Sequence, residues 1–265
     1  MTRFAGTLVL LALAFSGAAA ASGGTVTHLS GTLSVKKADG SVRILSRKSR
    51  IESGDILVTE RDSFAQIEFA DGARLTLKPN TSVAIEKFSY AEERPQEDAF
   101  VYRLLRGGVR AVAGVVGERS ADRYQLRTAG GTVEMRGADA ACGAGPARCA
   151  GPDGTVRVSP ADAESMRRAA TVSVDDCASS RGGDCARLDA AVFVAVADGE
   201  VVVRNPQGEV GLSAGQFGAV AANQRPIFLA ADPGLQFVPP ATFIQSIMTG
   251  SFVNLGKNLE CAVTR

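Results

Sequence analysis

The pentapeptide Gly211-Leu212-Ser213-Ala214-Gly215 has the spacing of a nucleophile elbow, in which a serine hydroxyl is raised to attack an acyl carbon. That chemistry requires a strand running directly into a helix, with a histidine nearby to take the proton. Here the residues that follow, Gln216 to Val220, look like another strand, and the single histidine is His28. The pattern therefore reads as a β-turn. Gly250 to Asn258 resembles a phosphate-binding loop, but its spacing is one residue too long and Asn258 stands where Ser or Thr is needed. A zinc site at His28 would have to be completed by cysteines or carboxylates, so His28 reads as a surface or edge-strand residue. No catalytic residue, cofactor or metal site is expected.

Cys142 and Cys149 are separated by six residues and Cys177 and Cys185 by seven, which are not metal-knuckle spacings. In an exported chain these four suit disulfides, each pair closing a short loop worth somewhat less than the ~3 kcal/mol of a 15-residue loop. Four cysteines allow three pairings, of which Cys142 with Cys149 and Cys177 with Cys185 is favoured. Cys261 is left as a free thiol, an intermolecular link or the sign of another pairing. The acidic pairs Glu92-Glu93, Glu97-Asp98 and Asp175-Asp176 lie in polar stretches and read as solvated loop charges. Lys36, Lys37, Arg43, Arg47, Lys48 and Arg50 form a basic stretch offset only by Asp39. Arg43, Arg47, Lys48 and Arg50 are its candidate electrostatic contacts, able to meet phosphate groups of an envelope polymer or anionic lipid. The competing reading is a solvated strand face.

The elements that would hold these residues are strands. Leu33 and Val35, Val42 and Ile44, Ile56 and Val58 alternate with polar neighbours, followed by Ala65, Ile67 and Phe69, then Leu75 and Leu77, then Val83 and Ile85. Period two is what a half-buried strand requires. Asp39-Gly40, Gly54-Asp55, Asp71-Gly72 and Pro79-Asn80 supply turn chemistry between the runs. Tyr90 to Ala99 reads as a loop, and strands resume at Val101 to Leu105, Val109 to Val112, Tyr124 to Thr128 and Val133 to Met135. Ala140 to Arg187 is rich in Gly, Ala, Ser and Asp, with a short helix expected over Pro160 to Ala169. The alternation returns at Val192, Val194 and Val196, at Val201 and Val203, and in the pairs Val210 with Leu212 and Phe217 with Ala219. A short helix over Ala241 to Met248 is expected in the tail.

Arg3, the apolar run Leu8 to Phe15 and the small residues Ala18 to Ala21 have the layout of a secretory signal peptide, cleaved near Ser22. No later run is long and apolar enough to span a bilayer. The mature chain is expected in a bacterial periplasm or exterior. With 29 basic and 28 acidic residues the charges nearly cancel, which argues against a dedicated nucleic-acid binder. No tryptophan and three tyrosines leave little for stacking on sugars or bases.

Taken in order, the landmarks resemble a FecR-type domain: Gly54-Asp55-x-x-x-Thr59, then Phe69-x-Asp71-Gly72-x-x-Leu75-x-Leu77-x-Pro79-Asn80-Thr81. Leu105-x-Gly107-Gly108, Leu126-x-Thr128 and Val133-x-Met135-Arg136-Gly137 follow. Asp198-Gly199-x-Val201-x-Val203 and Leu212-x-Ala214-Gly215-Gln216 close the series, which spans Leu29 to Val220. Ala138 stands where the family pattern usually has Thr. Membrane-bound members resemble periplasmic sensors joined to a cytoplasmic anti-sigma region. Neither that region nor a membrane helix is read here, so the signalling role is not carried over.

The resemblance implies an all-β, non-catalytic, protein-binding module, a twisted β-sandwich or β-solenoid with a small cysteine-bearing insert and a short helical tail. The expected organisation is a signal peptide over 1–21, a β domain over 22–140 and 188–222, an insert over 141–187 and a tail over 223–265. The expected role is binding, sensing or scaffolding of a protein or envelope-polymer partner. The alternatives are a structural surface or exopolysaccharide-associated protein, and an envelope enzyme using carboxylates in the insert or tail.

Overall fold

Each alternating run forms a strand, and the strands are dealt between two layers as the chain advances. The computed structural model describes residues 23–136, 171–176, 192–235 and 239–244. Sheet I takes β1 (Gly23–Ser30), sheet II takes β2 (Leu33–Lys36) and β3 (Val42–Leu45), and sheet I takes β4 (Arg50–Glu52). The chain then places β5 (Ile56–Thr59) in sheet II and β6 (Phe64–Phe69) with β7 (Arg74–Leu77) in sheet I. β8 (Ser82–Ser89) and β9 (Ala99–Arg106) return to sheet II, and β10 (Gly108–Val112) to sheet I. After the short helix α1 (Val115–Arg119), β11 (Tyr124–Arg127) and β12 (Thr132–Arg136) join sheet II. β13 (Thr171–Asp176) and β14 (Val192–Asp198) lie in sheet I, β15 (Glu200–Asn205) and β16 (Gly208–Ser213) in sheet II. β17 (Phe217–Val220) and β18 (Ile227–Leu229) finish sheet I.

The result is a sandwich of two nine-stranded sheets with little helix. Sheet I runs β4-β1-β6-β7-β10-β13-β14-β17-β18 and sheet II runs β3-β2-β5-β8-β9-β11-β12-β15-β16. Apart from the exchanges at β4/β1 and β3/β2, spatial order follows chain order in both layers. The described ladders are antiparallel except β9 with β11, where the chain detours through β10 and α1 before re-entering parallel.

Between the sheets lies one continuous apolar cluster from Val26 to Val220. Its centre is aromatic: Phe69, Phe88, Phe100, Tyr102 and Tyr124 stack with ring centroids 4.4 to 5.8 Å apart. Tilted and edge-on pairs of this kind add about 0.5–1.5 kcal/mol each beyond their buried area. Burial pushes both phenols up in pKa. The Tyr102 hydroxyl lies 4.0 Å from Met135 Sδ, and the Tyr124 hydroxyl has no hydrogen-bond partner among the described residues.

Several expectations are refined. The runs at 65–69, 75–77, 83–85, 192–196 and 201–203 bury the residues named for them. In β5, however, Leu57 and Thr59 face inward while Ile56 and Val58 are half-buried on the outer face. In β3, Leu45 is buried, whereas Val42 and Ile44 are 66% and 79% exposed. Phe193 and Ala219 also face outward, but Leu235 covers them in a small second cluster. The strand β13 lies within the 141–187 segment yet pairs with both β10 and β14 inside sheet I. Helix α1 has no counterpart in the sequence reading. The expected helix over 160–169 lies outside the described residues. In the tail, residues 241–244 form a helical turn whose Phe243 is buried against Phe64, ring centroids 5.8 Å apart.

Candidate functional site

The polar landmarks of the sequence are spent on the sandwich itself. Thr59 Oγ1 donates to the Lys78 carbonyl (2.6 Å) and accepts from the Thr81 N–H (3.0 Å). Thr81 Oγ1 in turn donates to the Gly108 carbonyl and accepts from the Gly108 N–H, both at 3.0 Å. These hydroxyls satisfy buried backbone groups at the turns where the chain changes layer. Gly107 beside them has φ +85°, and a Cβ there would stand 2.4 Å from Thr81 Oγ1, so both dihedral and space demand glycine. Thr128 closes the β11–β12 hairpin by donating to the Gly131 carbonyl (2.7 Å) and accepting from its N–H (3.1 Å).

Two buried aspartates act likewise. Asp71 accepts from Ala73 N–H (3.1 Å) and, across 45 positions, from Val116 N–H (3.3 Å) in the first turn of α1. Burial raises its carboxyl above the ordinary value, against the pull of those donors. Asp98 accepts from Ala91 N–H (2.8 Å) and pairs with Arg119 at 3.0 Å, tying α1 to the loop before β9.

The sequence-predicted serine and histidine are kept apart. Ser213 ends β16, an outermost strand of sheet II, and its N–H donates to Gln216 Oε1 (2.8 Å) in a turn leading to β17. No helix follows it. His28 lies on β1, next to the opposite edge of sheet I, with Nδ1 3.1 Å from Thr27 Oγ1 and its ring 6.3 Å from Phe243. Among the described residues no group of three or more His, Cys, Asp or Glu is placed to hold a metal ion. Cys142, Cys149, Cys177, Cys185 and Cys261 lie outside the described residues, as does Gly250 to Asn258.

The basic candidates do come together, at the end of the sandwich where both sheets begin. Arg43 lies on β3, Arg47 and Lys48 on the turn after it, and Arg50 on β4; all four are exposed. That turn is pinned to β1: Lys48 N–H donates to Val26 O (2.7 Å), Val26 N–H to Ser49 O (2.9 Å), and Arg47 Nε to Thr27 O (3.1 Å). Beside it an open groove of about 460 Å³ is lined by Lys37, Asp39, Ser41, Arg43, Glu52 and Asp55. Its acids are already engaged. Lys37 Nζ bridges Glu52 and Asp55 at 2.9 Å each, and Asp39 accepts from Ser41 N–H (2.8 Å) and Oγ (2.6 Å). Burial alone would lower the Lys37 ammonium, but the two carboxylates outweigh it and hold its pKa above the ordinary value. The arginines keep their charge for the solvent. What the sequence reading missed is the apolar pair on this edge, Val42 and Ile44, because which face they occupy depends on the β2–β3 hairpin.

Residues 55–160 match the FecR family, described as FecR protein. The match starts at β5 and extends past β12, its last part lying outside the described residues. No curated protein matches the chain. Among solved structures, two of a "putative anti-sigma factor" from Parabacteroides distasonis ATCC 8503 are 12% identical, with TM-scores of 0.38 and 0.39. Each alignment covers 67% of this chain and 60% of that one, so the chain spans less than two thirds of that protein. A "cell surface anchoring domain" is 24% identical at a TM-score of 0.23, covering 23% of this chain and 80% of that domain.

Proposed function

We propose that this FecR-domain chain is an exported envelope protein acting as a non-catalytic binding, sensing or scaffold module for a protein or envelope-polymer partner. The observation that carries the reading is the division of labour among its polar residues. The landmarks of the domain are committed to buried turns and layer crossings, while the exposed cations Arg43, Arg47, Lys48 and Arg50 stand together at one end. The FecR family is generally non-catalytic, and its domains bind partner proteins. Export is supported by the leader-like layout of residues 1–21. Among the described residues no helix is long and apolar enough to cross a membrane.

The test is affinity capture from envelope extract with mass spectrometry, repeated with Ser213→Ala, His28→Ala and a charge reversal across Arg43, Arg47, Lys48 and Arg50. Capture should survive the first two and fall with the third, more so at low salt. A hydrolytic activity lost in Ser213→Ala would end the reading. The same reading places disulfides at Cys142–Cys149 and Cys177–Cys185. Non-reducing peptide mapping of periplasm-derived protein should find both, and four free thiols would refute them.

A further inference from the structure

We infer that β3 is an acceptor edge for an extended, acidic segment of another protein, which adds to sheet II as a further antiparallel strand. The inference rests on the binding-module reading and supplies its mode and the chemistry of its partner.

The backbone carries the first part. The β2–β3 hairpin is closed by the Lys37 N–H bonding to the Ser41 carbonyl at 2.8 Å, with Gly40 at φ +84° completing the loop. Residues 37 and 41 are thus a hydrogen-bonded pair, and such pairs alternate with non-bonded ones along an antiparallel ladder. Val35–Arg43 and Leu33–Leu45 are then bonded pairs, while Lys36–Val42 and Ser34–Ile44 are not. The N–H and C=O groups of Val42 and Ile44 therefore point away from β2, toward the side of sheet II where no strand follows among the described residues.

The side chains carry the second part. Natural edges are blunted by brevity, proline, bulges or charge. Of the other edges, β4 and β18 have three residues each, and β16 carries Gly208 and Gly211. β3 pairs with β2 without a register shift, has no proline, and shows two aliphatic side chains on the face that carries half-buried Ile56 and Val58 two strands further in. Arg43 faces the other way, and Arg47, Lys48 and Arg50 continue the cationic rim.

Charge selects the occupant. Arg43, Lys48 and Arg50 make no ion pair among the described residues, and the local acids are turned onto Lys37 and Ser41. A second copy pairing through β3 would bring these cations against their own kind, which cross-strand pairing penalises. A strand with aliphatic residues beside Val42 and Ile44 and carboxylates toward the arginines satisfies both faces, in the manner of strand addition.

The probe is a capped, fluorescent heptapeptide alternating Val and Glu, titrated into the full chain and followed by anisotropy. Wild-type protein should bind it, more tightly at low salt. The peptide with Lys for Glu, or with its alternate amides N-methylated, should bind at least tenfold more weakly to the unchanged protein. Ile44→Pro removes an outward donor and leaves the β2 ladder intact, so it should keep the melting temperature and lose at least tenfold in binding. Arg43→Glu with Arg47→Glu should lose several-fold. Absence of binding to wild type, equal binding of the N-methylated peptide, or a dimer abolished by Ile44→Pro would overturn the inference. If envelope capture proceeds equally with Ile44→Pro and wild type, the β3 edge is refuted while the binding-module reading stands. Failure of wild type to capture any partner would count against that reading, with the peptide titration judging β3 separately.

Discussion

Asp71 serves two turns with one carboxylate, accepting from Ala73 beside it and from Val116 at the start of α1. Its raised pKa fixes the sign of its pH dependence. The folded state holds the proton more tightly than the unfolded state, so the favourable contribution is complete below the ordinary value of 3.8 and is lost as pH rises through the raised value. Asp71→Asn keeps an acceptor and cannot ionise. Its stability relative to wild type should therefore improve between pH 4 and pH 7, as thermal melts at the two pH values would show. Asp71→Ala leaves buried donors unpaired and should cost about 1–3 kcal/mol at either pH. The Asp71-Gly72 turn is legible in the sequence, since Asp and Gly both suit tight turns. The service to Val116 is not, because nothing local announces a partner 45 positions away.

At the level of strands, period two was easy to read and phase was not. Ile56, Leu57 and Val58 are three consecutive apolar residues, so alternation alone cannot choose an inward set. The choice falls on Leu57 because Thr59, two residues on, must turn its hydroxyl inward to meet Lys78 and Thr81. In β3 the phase is set by the hairpin: the three residues between Lys37 and Ser41 put Arg43 opposite Val35 and leave Val42 and Ile44 outside. A one-residue slip would reverse both faces. The layer crossings give the corresponding test. Thr81→Val preserves shape but strands the Gly108 N–H, so chemical denaturation should show a loss of about 1–3 kcal/mol. An unchanged midpoint would mean that water replaces the hydroxyl.

For the whole molecule, the alternating runs and turns suffice to identify an all-β body but leave sandwich and solenoid open, and the cluster of cations is visible as plain charge. Which strands end each sheet is a property of topology, and the candidate edge at β3 could not be seen without it. The same holds for β13, which the composition of 141–187 conceals. Removing that entire segment takes a strand from between β10 and β14 and should abolish the cooperative melt. A shorter deletion that retains 171–176 with a linker should keep it, and circular dichroism melts of the two deletions would separate these outcomes. The near-sequential order of the strands has one more consequence. Each new strand after β5 docks on a strand that precedes it in the chain, so a chain emerging amino end first can fold as it arrives. Phe243 is the exception, for it reaches back to Phe64 at the opposite end, and a nascent chain can make that contact only after β18 has been delivered.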